Sequence, residues 1–327
     1  MAGDRRAISD YKGVRRSVNE PRGFESRAHA LRLDERHHDV WPDHDRLDQM
    51  NKLTGRNGAS SDFSRASYHV LITGATSGLG RELAKRYAVP GRTLSLSGRD
   101  EARLSEVAAA CRDSGADVHA TQVDVTDAEA VERWVGERDT VLPIDILIAN
   151  AGIGGAAVVP SSSGEDGALA RRIVSVNTLG VINTVTPALP RMTGRQRGHI
   201  VMVGSISGSI GLPQSPAYCA SKAAVQIYAE ALRRLLAGQG VKVTLVLPGF
   251  VDTPMSRSLD MPRPFCWPVE RAAKRIVSDV ARGARQCVFP WPLRLVIASQ
   301  NYVPVWLTDA VLRQTLRHGW SSADNSG

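Results

Sequence analysis

From Tyr68 onward, short apolar runs of strand length alternate with stretches of helical length, and this alternation restricts the fold more than any other feature. Buried strands joined by helices form parallel sheets with helices packed on both faces. The sequence therefore predicts an α/β fold, a doubly wound parallel sheet in a single domain. The predicted strands are Tyr68–Thr73, Thr93–Ser97, Val118–Val123, Ile144–Ala149, His199–Gly204, Val241–Leu247 and Gln286–Phe289. The predicted helices begin near Gly78, Asp100, Asp127, Asp166, Ser215 and Val269.

The two ends of the chain differ from this regular region. Residues 1–65 carry 13 Lys/Arg and 11 Asp/Glu with few aliphatic side chains. Such a segment buries too little apolar surface to offset its ordering entropy. We predict a polar, disordered N-terminal extension at 1–65, a folded domain at 66–290 and a C-terminal extension at 291–327. The first segment has two interpretations: a functional tail, or an upstream extension with the functional chain starting near Met50.

Charge and cysteine usage narrow the classes of function. The net charge of +8 is spread along the chain without a long Lys/Arg block, which argues against a nucleic-acid-binding surface. The four cysteines are scattered, with no CxxC pair and no metal-ligand spacing. We therefore expect free thiols in a reducing compartment and no metal site. The histidines and aspartates between residues 37 and 45 are interpreted as part of a solvated tail.

The sequence gives membrane association little support. The arginine-rich N-terminus lacks the apolar core of a secretory signal, and no run of about 20 apolar residues is present, so we expect a cytoplasmic protein. Apolar and aromatic residues do cluster between Phe289 and Leu307. Such a cluster is typical of a segment on a membrane surface, and equally of a helix packed on the core or on a partner subunit. Peripheral membrane contact is the minority interpretation.

A glycine-rich turn, Thr73-Gly74-Ala75-Thr76-Ser77-Gly78-Leu79-Gly80, follows the first predicted strand and opens a helix. Its glycines would let the backbone approach a pyrophosphate, whose charge would meet the helix N-terminus. Taken alone, the turn is also compatible with an ordinary tight strand-to-helix connection. Its position at the carboxyl edge of an α/β sheet makes a dinucleotide the ligand it favours.

Tyr218 and Lys222 are four residues apart in a predicted helix, so they share one face of it. A phenol with an unperturbed pKa of about 10 is a poor acid or base at neutral pH. A fixed ammonium group one turn away favours the phenolate, lowers the pKa of the tyrosine and makes it usable in proton transfer. Cys219 points about 100° away along the helix, and packing is its favoured interpretation.

Together these motifs resemble those of the short-chain dehydrogenase/reductase family, from about Tyr68 to Phe289. The Gly-x3-Gly-x-Gly spacing of the turn is typical of that family. The other matching elements follow in order: Asn150-Ala151-Gly152, Asn177, Ser205, Tyr218, Lys222, Pro248-Gly249 and Thr253. The resemblance implies a Rossmann-type fold, an NAD(P)-binding catalytic domain at 66–290, a small-molecule substrate and a homo-oligomer.

The resemblance also implies a role for each matched residue. Tyr218 would be the general acid in reduction and the general base in oxidation, Lys222 would bond the nicotinamide ribose, and Ser205 would hold the substrate oxygen. Asn177 would anchor a water that links Lys222 to solvent. The implied cofactor-binding residues are Gly74, Thr76, Ser77, Gly78, Leu79, Gly80, Arg99, Asp124, Val125, Asn150, Ala151, Gly152, Tyr218, Lys222, Pro248, Gly249, Val251 and Thr253.

The cofactor type depends on the end of the second strand. Family members that prefer NAD place an acidic residue at this tip, where it accepts hydrogen bonds from the ribose hydroxyls. Here the tip is Gly98 followed by Arg99, and an arginine fork suits a 2′-phosphate. Asp100 fits better as the cap of the next helix. We therefore predict NADP(H), with NAD(H) less favoured. By the same resemblance, Asp124 would meet the adenine and Thr253 the carboxamide of the nicotinamide.

The expected function is hydride transfer between NADP(H) and a ketone or secondary alcohol, with Tyr218 as general acid/base. Residues after Thr253 would close the substrate pocket. A lipid-like substrate would accompany the minority membrane interpretation. The alternatives are a non-catalytic dinucleotide-binding sensor and a membrane-surface scaffold of the same fold.

Overall fold

The computed structural model describes residues 68–154, 165–213, 215–259 and 263–292, together with residues 303, 306, 307, 309 and 310. The predicted N-terminal extension at 1–65, with its histidines, lies outside the described residues. So does most of the predicted C-terminal extension.

The described part of the chain contains a seven-stranded sheet and a separate two-stranded one. The strands are β1 Tyr68–Thr73, β2 Arg92–Gly98, β3 Asp117–Gln122, β4 Ile146–Ala149, β5 Gly198–Val203, β6 Val241–Pro248, β7 Val251–Asp252, β8 Trp267–Pro268 and β9 Gln286–Phe289. The large sheet has the order β3-β2-β1-β4-β5-β6-β9, and all its pairings are parallel. The order reverses between β1 and β4, so a ligand crevice is expected at their carboxyl ends.

Helices cover the sheet. They are α1 Gly78–Tyr87, α2 Glu101–Asp113, α3 Ala128–Val141, α4 Gly167–Gly194, α5 Pro216–Leu235, α6 Pro254–Arg257 and α7 Val269–Ala281. Within α4, a π-helical turn spans Ser175–Leu179 and a 3₁₀ turn spans Thr186–Ala188. A short 3₁₀ turn, Ile206–Gly208, precedes α5.

Local chemistry sets where several helices begin. Asp100, Asp127 and Asp166 are the N-caps of α2, α3 and α4, and each carboxylate accepts a hydrogen bond from backbone N–H groups of the first turn. These bonds satisfy donors that the helix itself leaves without partners. The three helix starts predicted at these aspartates are confirmed.

The core lies on both faces of the large sheet, because successive side chains of a strand point to opposite faces. In β1, Val70 and Ile72 belong to one buried cluster, while Leu71 between them belongs to the other. A sheet buried on both sides needs continuous apolar strands, which is the pattern that predicted it. The predicted doubly wound, Rossmann-type fold is confirmed.

The other predicted strands agree with the structure to within one residue, and two larger differences remain. The fourth strand begins at Ile146 rather than Ile144, and the Ile144 N–H donates to the Asp139 side chain instead of a neighbouring strand. The small β7–β8 sheet was not predicted, since each of its strands has only two residues.

From the sequence no membrane-spanning helix is expected, and one helix bears on that expectation. Among the described residues, α4 is the one helix that is long and apolar enough for this by length and composition. Core helices share these properties, and Val181, Val185 and Met192 of α4 are buried in the core of the domain. Packing in the core is therefore enough to explain why α4 is apolar.

Candidate active site

The glycine-rich turn lies directly against the end of β4. Gly74 and Gly78 have positive φ angles of 68° and 51°, which side chains disfavour. A Cβ atom added at Gly80 would lie 2.2 Å from the Gly74 carbonyl oxygen and 2.4 Å from Asn150 Nδ2. The turn therefore brings backbone close to backbone at the crevice, as a pyrophosphate-binding loop requires.

Asn150 fastens this turn to the sheet. Its Nδ2 donates to the carbonyl oxygens of Thr73 at 3.0 Å and Gly74 at 3.2 Å. In return, Thr73 Oγ1 accepts from the backbone N–H groups of Asn150 at 3.1 Å and Ala151 at 3.2 Å. These four bonds hold the turn and the end of β4 together. Thr73 was not singled out from the sequence, although its place just before the turn was a usable signal.

The tip of β2 is crowded on one side and open on the other. A Cβ atom at Gly98 would lie 2.3 Å from the methyl group of Thr76, whereas Arg99 is exposed. The Arg99 carbonyl oxygen accepts a 2.8 Å bond from Gln122 Nε2. Asp100 turns to α2, where its Oδ1 accepts from the Arg103 N–H at 3.0 Å. Arg99 is thus free to face a ligand, while Asp100 serves as the predicted cap.

Asp124 follows β3 on the same edge and is half-buried. Burial alone would raise its pKa, but hydrogen bonds from Thr126 and the charges of Arg99 and Arg172 outweigh burial and lower that pKa. The adjacent Val125 is buried against α4. The carboxylate is therefore ionised at neutral pH and lies within the field of two arginines.

The segment after β6 closes the other end of the crevice. Thr253 caps α6, and its methyl group would lie 3.2 Å from a Cβ atom at Gly78. Met255 lies over Gly154, with its Cγ 3.1 Å from an added Cβ. The remaining predicted cofactor residues have structural positions nearby: Ser77 as N-cap of α1, Leu79 against the core, Pro248 ending β6, Gly249 bonded to the Phe289 carbonyl, and Val251 buried in β7.

Lys222 on α5 is buried beneath the crevice, with only 4% of its surface exposed. Its Nζ donates to the Val203 carbonyl oxygen at 3.0 Å and lies 5.8 Å from the centroid of the Tyr218 ring. Burial lowers the pKa of Lys222 to about 8, because an ammonium group loses hydration there. The side chain therefore remains largely cationic at neutral pH.

Tyr218 and Ser205 meet above this lysine. Tyr218 is half-buried and Ser205 is buried. Burial raises the pKa of Tyr218, and a hydrogen bond with the Ser205 hydroxyl opposes that rise. The expected lowering of this pKa by Lys222 is therefore not met, since burial of the phenol prevails. A protonated Tyr218 at neutral pH is suited to donate a proton.

Asn177 lies fully buried in the π-helical turn of α4; such turns are frequent at functional sites. Its Oδ1 accepts from the Ile153 N–H at 2.8 Å, and its Nδ2 donates to the Ile153 carbonyl at 2.9 Å and to Ser221 Oγ at 3.1 Å. A Cβ atom at Gly152 would lie 3.3 Å from Asn177 Oδ1 and 3.5 Å from Lys222 Nζ. The structure thus brings Asn177 and Lys222 together around Gly152.

Sequence reasoning missed three polar residues that hold these groups. Ser221 joins α4 to α5 through Asn177. Glu165 Oε2 accepts from the Ala217 N–H at 2.7 Å, at the first turn of α5. Gln226 binds the backbone of Ser205. No local pattern marks these residues, apart from the position of Ser221 beside Lys222.

The sequence was compared with known families and proteins. A sequence model of the family described as short chain dehydrogenase matches residues 68–263, more than half of the chain. An uncharacterized oxidoreductase of Myxococcus xanthus is 34% identical over 245 residues, which cover 75% of this chain and 96% of that protein.

Solved structures resemble the fold in the same way. A short-chain dehydrogenase from Sphingobium yanoikuyae in complex with NADPH is 30% identical with a TM-score of 0.63, over 77% of this chain and 95% of that one. A short chain dehydrogenase/reductase from Burkholderia phymatum in complex with NAD is 25% identical with a TM-score of 0.65, over 72% and 93%. With the site geometry, these findings confirm the resemblance: the chain belongs to the short-chain dehydrogenase/reductase family of oxidoreductases.

Proposed function

We propose that the protein is an NADP(H)-dependent oxidoreductase that interconverts a ketone and a secondary alcohol, with Tyr218 as general acid/base. The observation that carries the proposal is the convergence of two hydroxyls and a buried cation. Lys222 Nζ lies 5.8 Å from the centroid of the tyrosine ring, and the buried Ser205 hydroxyl opposes the rise that burial gives the pKa of Tyr218. All three are beside a glycine turn shaped for a pyrophosphate.

The residues at the crevice fit a nicotinamide dinucleotide. The glycine turn leaves no room for side chains where a pyrophosphate would approach. Thr253 lies against Gly78 and is placed to contact the nicotinamide end. When bound, the reduced cofactor would supply the hydride that the chemistry requires.

The preference for NADP(H) rests on the β2 tip. A carboxylate side chain at Gly98 would collide with the Thr76 methyl group, since even a Cβ would lie 2.3 Å from it. Ribose hydroxyls therefore lack the acidic partner that favours NAD. The exposed Arg99 guanidinium offers a fork for a 2′-phosphate instead. The related structures hold NADPH in one case and NAD in the other.

The side chains suggest how a ketone would react. Its carbonyl oxygen would accept hydrogen bonds from Ser205 and Tyr218, which fix its position and stabilise developing negative charge. Tyr218 would then donate its proton to that oxygen, and the Lys222 ammonium would stabilise the phenolate left behind. Asn177 would hold the water that returns a proton toward Lys222. In the oxidation direction the same groups would act in reverse.

The mouth of the site and two helix surfaces support the remaining parts of the proposal. Met255, which packs over Gly154, offers apolar contact there, which suits a ketone with an apolar substituent. The exposed apolar side chains on the packed helices α4 and α5 are Val174, Leu179, Ile227 and Leu235. Covering such a face would be favourable in a homo-oligomer. We propose the cytoplasm as its compartment.

A reductase screen over chemically diverse ketones, run with NADPH and NADH in parallel, tests this function. We expect reduction with NADPH preferred, and loss of turnover in Tyr218→Phe with cofactor binding retained. Tyr228→Phe is the matched control, because this tyrosine is on the same helix and packs against the core. Turnover retained by Tyr218→Phe contradicts the mechanism, and a clear NADH preference contradicts the role of Arg99.

Exposed tryptophans favour a second candidate, contact with a membrane surface and a lipid-like ketone substrate. Trp291 and Trp306 are 71% and 70% exposed, and tryptophan is enriched at membrane interfaces. Liposome flotation of the full chain against a Trp291→Ala/Trp306→Ala variant tests it. Equal flotation of the two proteins removes this candidate and leaves the first unaffected.

A further inference from the structure

Ser205 belongs to a short segment that is fixed to α5 at both ends. The segment, residues 205–209, leaves β5 and makes the 3₁₀ turn Ile206–Gly208. Ser205 Oγ accepts from the Ser207 N–H at 3.1 Å, so the hydroxyl orientation depends on the path of this turn. Whatever holds the segment on the helix therefore controls where the Ser205 hydroxyl lies.

A single carboxamide makes that attachment. Gln226 Nε2 donates to the Ser205 carbonyl oxygen at 2.7 Å. Its Oε1 accepts from Ser209 Oγ at 3.1 Å. Gln226 is one helical turn beyond Lys222 and two beyond Tyr218, so all three share one face of α5. The residue that holds the segment thus stands on the same rigid helix as the tyrosine that Ser205 must meet.

Gly208 lets the segment lie close enough for these bonds. A Cβ atom added there would lie 2.5 Å from Gln226 Nε2 and 2.6 Å from the Lys222 carbonyl carbon. Any side chain at this position would push the turn away from the helix. The contact is therefore close packing of backbone on helix, secured by one side chain that can donate and accept at once.

We propose that Gln226 is a positioning residue, which holds the 205–209 segment on α5 and thereby sets the Ser205 hydroxyl against Tyr218. This inference deepens the proposed function and rests on it for its kinetic consequence. Gln226 does not contact the reacting atoms itself. Its effect would pass through Ser205, which in the proposed function orients the substrate oxygen beside Tyr218.

Removing this anchor has a specific expected effect. With the segment loosened, the Ser205 hydroxyl would be held less well beside Tyr218, and its lowering influence on the burial-raised pKa of the tyrosine would weaken. The substrate oxygen would also be held less well in the transition state. Binding of the dinucleotide, whose implied contacts include no residue of the 205–209 segment, would stay unchanged. The expected signature is a fall in kcat with KM for the cofactor preserved.

Two variants separate the anchor from simple packing. Gln226→Leu keeps most of the side-chain volume and removes both bonds. Gln226→Glu keeps the acceptor for Ser209 but replaces the donor to the Ser205 carbonyl with a carboxylate oxygen. The matched control is Gln239→Leu, because Gln239 Nε2 makes the same kind of bond, 2.8 Å to the Leu235 carbonyl, away from the site.

The assays are kcat, cofactor KM and the pH profile of kcat in the full chain, with amide hydrogen exchange of the cofactor-free proteins. We expect kcat to fall about tenfold in both Gln226 variants, the apparent pKa of the tyrosine to rise, and exchange to quicken over residues 205–212. Gln239→Leu should match the wild type in all four measurements.

Unchanged kcat and pH profile in Gln226→Leu overturn the proposal, as does an equal loss in Gln239→Leu, which would indicate a general effect on folding. If the wild-type protein reduces no ketone, the proposed function has failed instead. Hydrogen exchange then decides the anchor by itself: quickened exchange confined to residues 205–212 supports it, and unchanged exchange overturns it.

Discussion

The buried side chain of Lys222 should destabilise the fold that holds it, and Lys222→Met tests this. Burial lowers the pKa of Lys222 from 10.5 to about 8. Since one pKa unit corresponds to about 1.4 kcal/mol, keeping this side chain charged costs about 3 kcal/mol at neutral pH. Methionine fills a similar unbranched volume without charge. It forfeits the bond to the Val203 carbonyl, worth about 1 kcal/mol, so the net gain is about 2 kcal/mol.

The direction of the Lys222 pKa shift determines how the stability of the wild type changes with pH. Because the folded pKa of Lys222 lies below the unfolded one, the unfolded chain binds more protons between about pH 8 and pH 10.5. The stability of the wild type therefore rises across that interval as the penalty disappears. The advantage of Lys222→Met should be full at pH 7, shrink above pH 8 and reverse near pH 10.5, where only the lost hydrogen bond remains.

Reversible urea unfolding of the cofactor-free protein, followed by circular dichroism at pH 7 and pH 10, measures both effects. Lys85→Met is the control, because Lys85 is exposed on α1 and should show little change at either pH. The reasoning is refuted if Lys222→Met is less stable than the wild type at pH 7, or if the difference does not depend on pH. The same variant should be inactive in the ketone assay.

Three further predictions concern the turn, the opposite end of the sheet and the catalytic helix. Gly80→Ala should weaken NADPH binding at least tenfold by fluorescence titration, since its Cβ meets backbone at 2.2 Å, whereas Gly194→Ala, with nothing within 4 Å, should not. Burial lowers the pKa of His199 to about 4. The free energy of unfolding should therefore be full above pH 6.5 and fall by up to ~3 kcal/mol as the pH drops toward 4. In urea unfolding, His199→Gln should show a flatter dependence of stability on pH. Glu165→Ala should lower thermal stability by about 1 kcal/mol through loss of its bond to α5, and unchanged melting would exclude that capping role.

The sequence predicted the elements of the fold where the signal is local. Strand β1 was predicted to the residue, because an apolar run stops at the glycine turn. The aspartate caps were equally visible, since each side chain binds the backbone within three residues. Tyr218, Lys222 and Ser205 were predicted to form one group, from spacing along one helix face and from resemblance, and the structure places Lys222 Nζ 5.8 Å from the Tyr218 ring.

Contacts between distant segments were beyond the sequence. The bond from Ala217 to Glu165 joins residues 52 apart, and that from Gln226 to Ser205 joins residues 21 apart on different elements. The direction of the Tyr218 pKa shift also depends on the assembled site. Spacing predicted the approach of a cation, but only the packed structure shows that burial of the phenol has the larger effect.

Three side-chain amides hold the loops of the candidate site in place. Asn150 bonds the glycine turn, Asn177 bonds Ile153 after β4, and Gln226 bonds the segment that carries Ser205. A carboxamide is not titratable in the pH range where acids and bases ionise, so it can donate and accept hydrogen bonds throughout that range. A carboxylate could only accept, and it would place a charge beside the proton-transfer groups. Neutral anchors therefore hold each loop while leaving the electrostatics of the site to Lys222, which is why their loss should affect catalysis before it affects the fold.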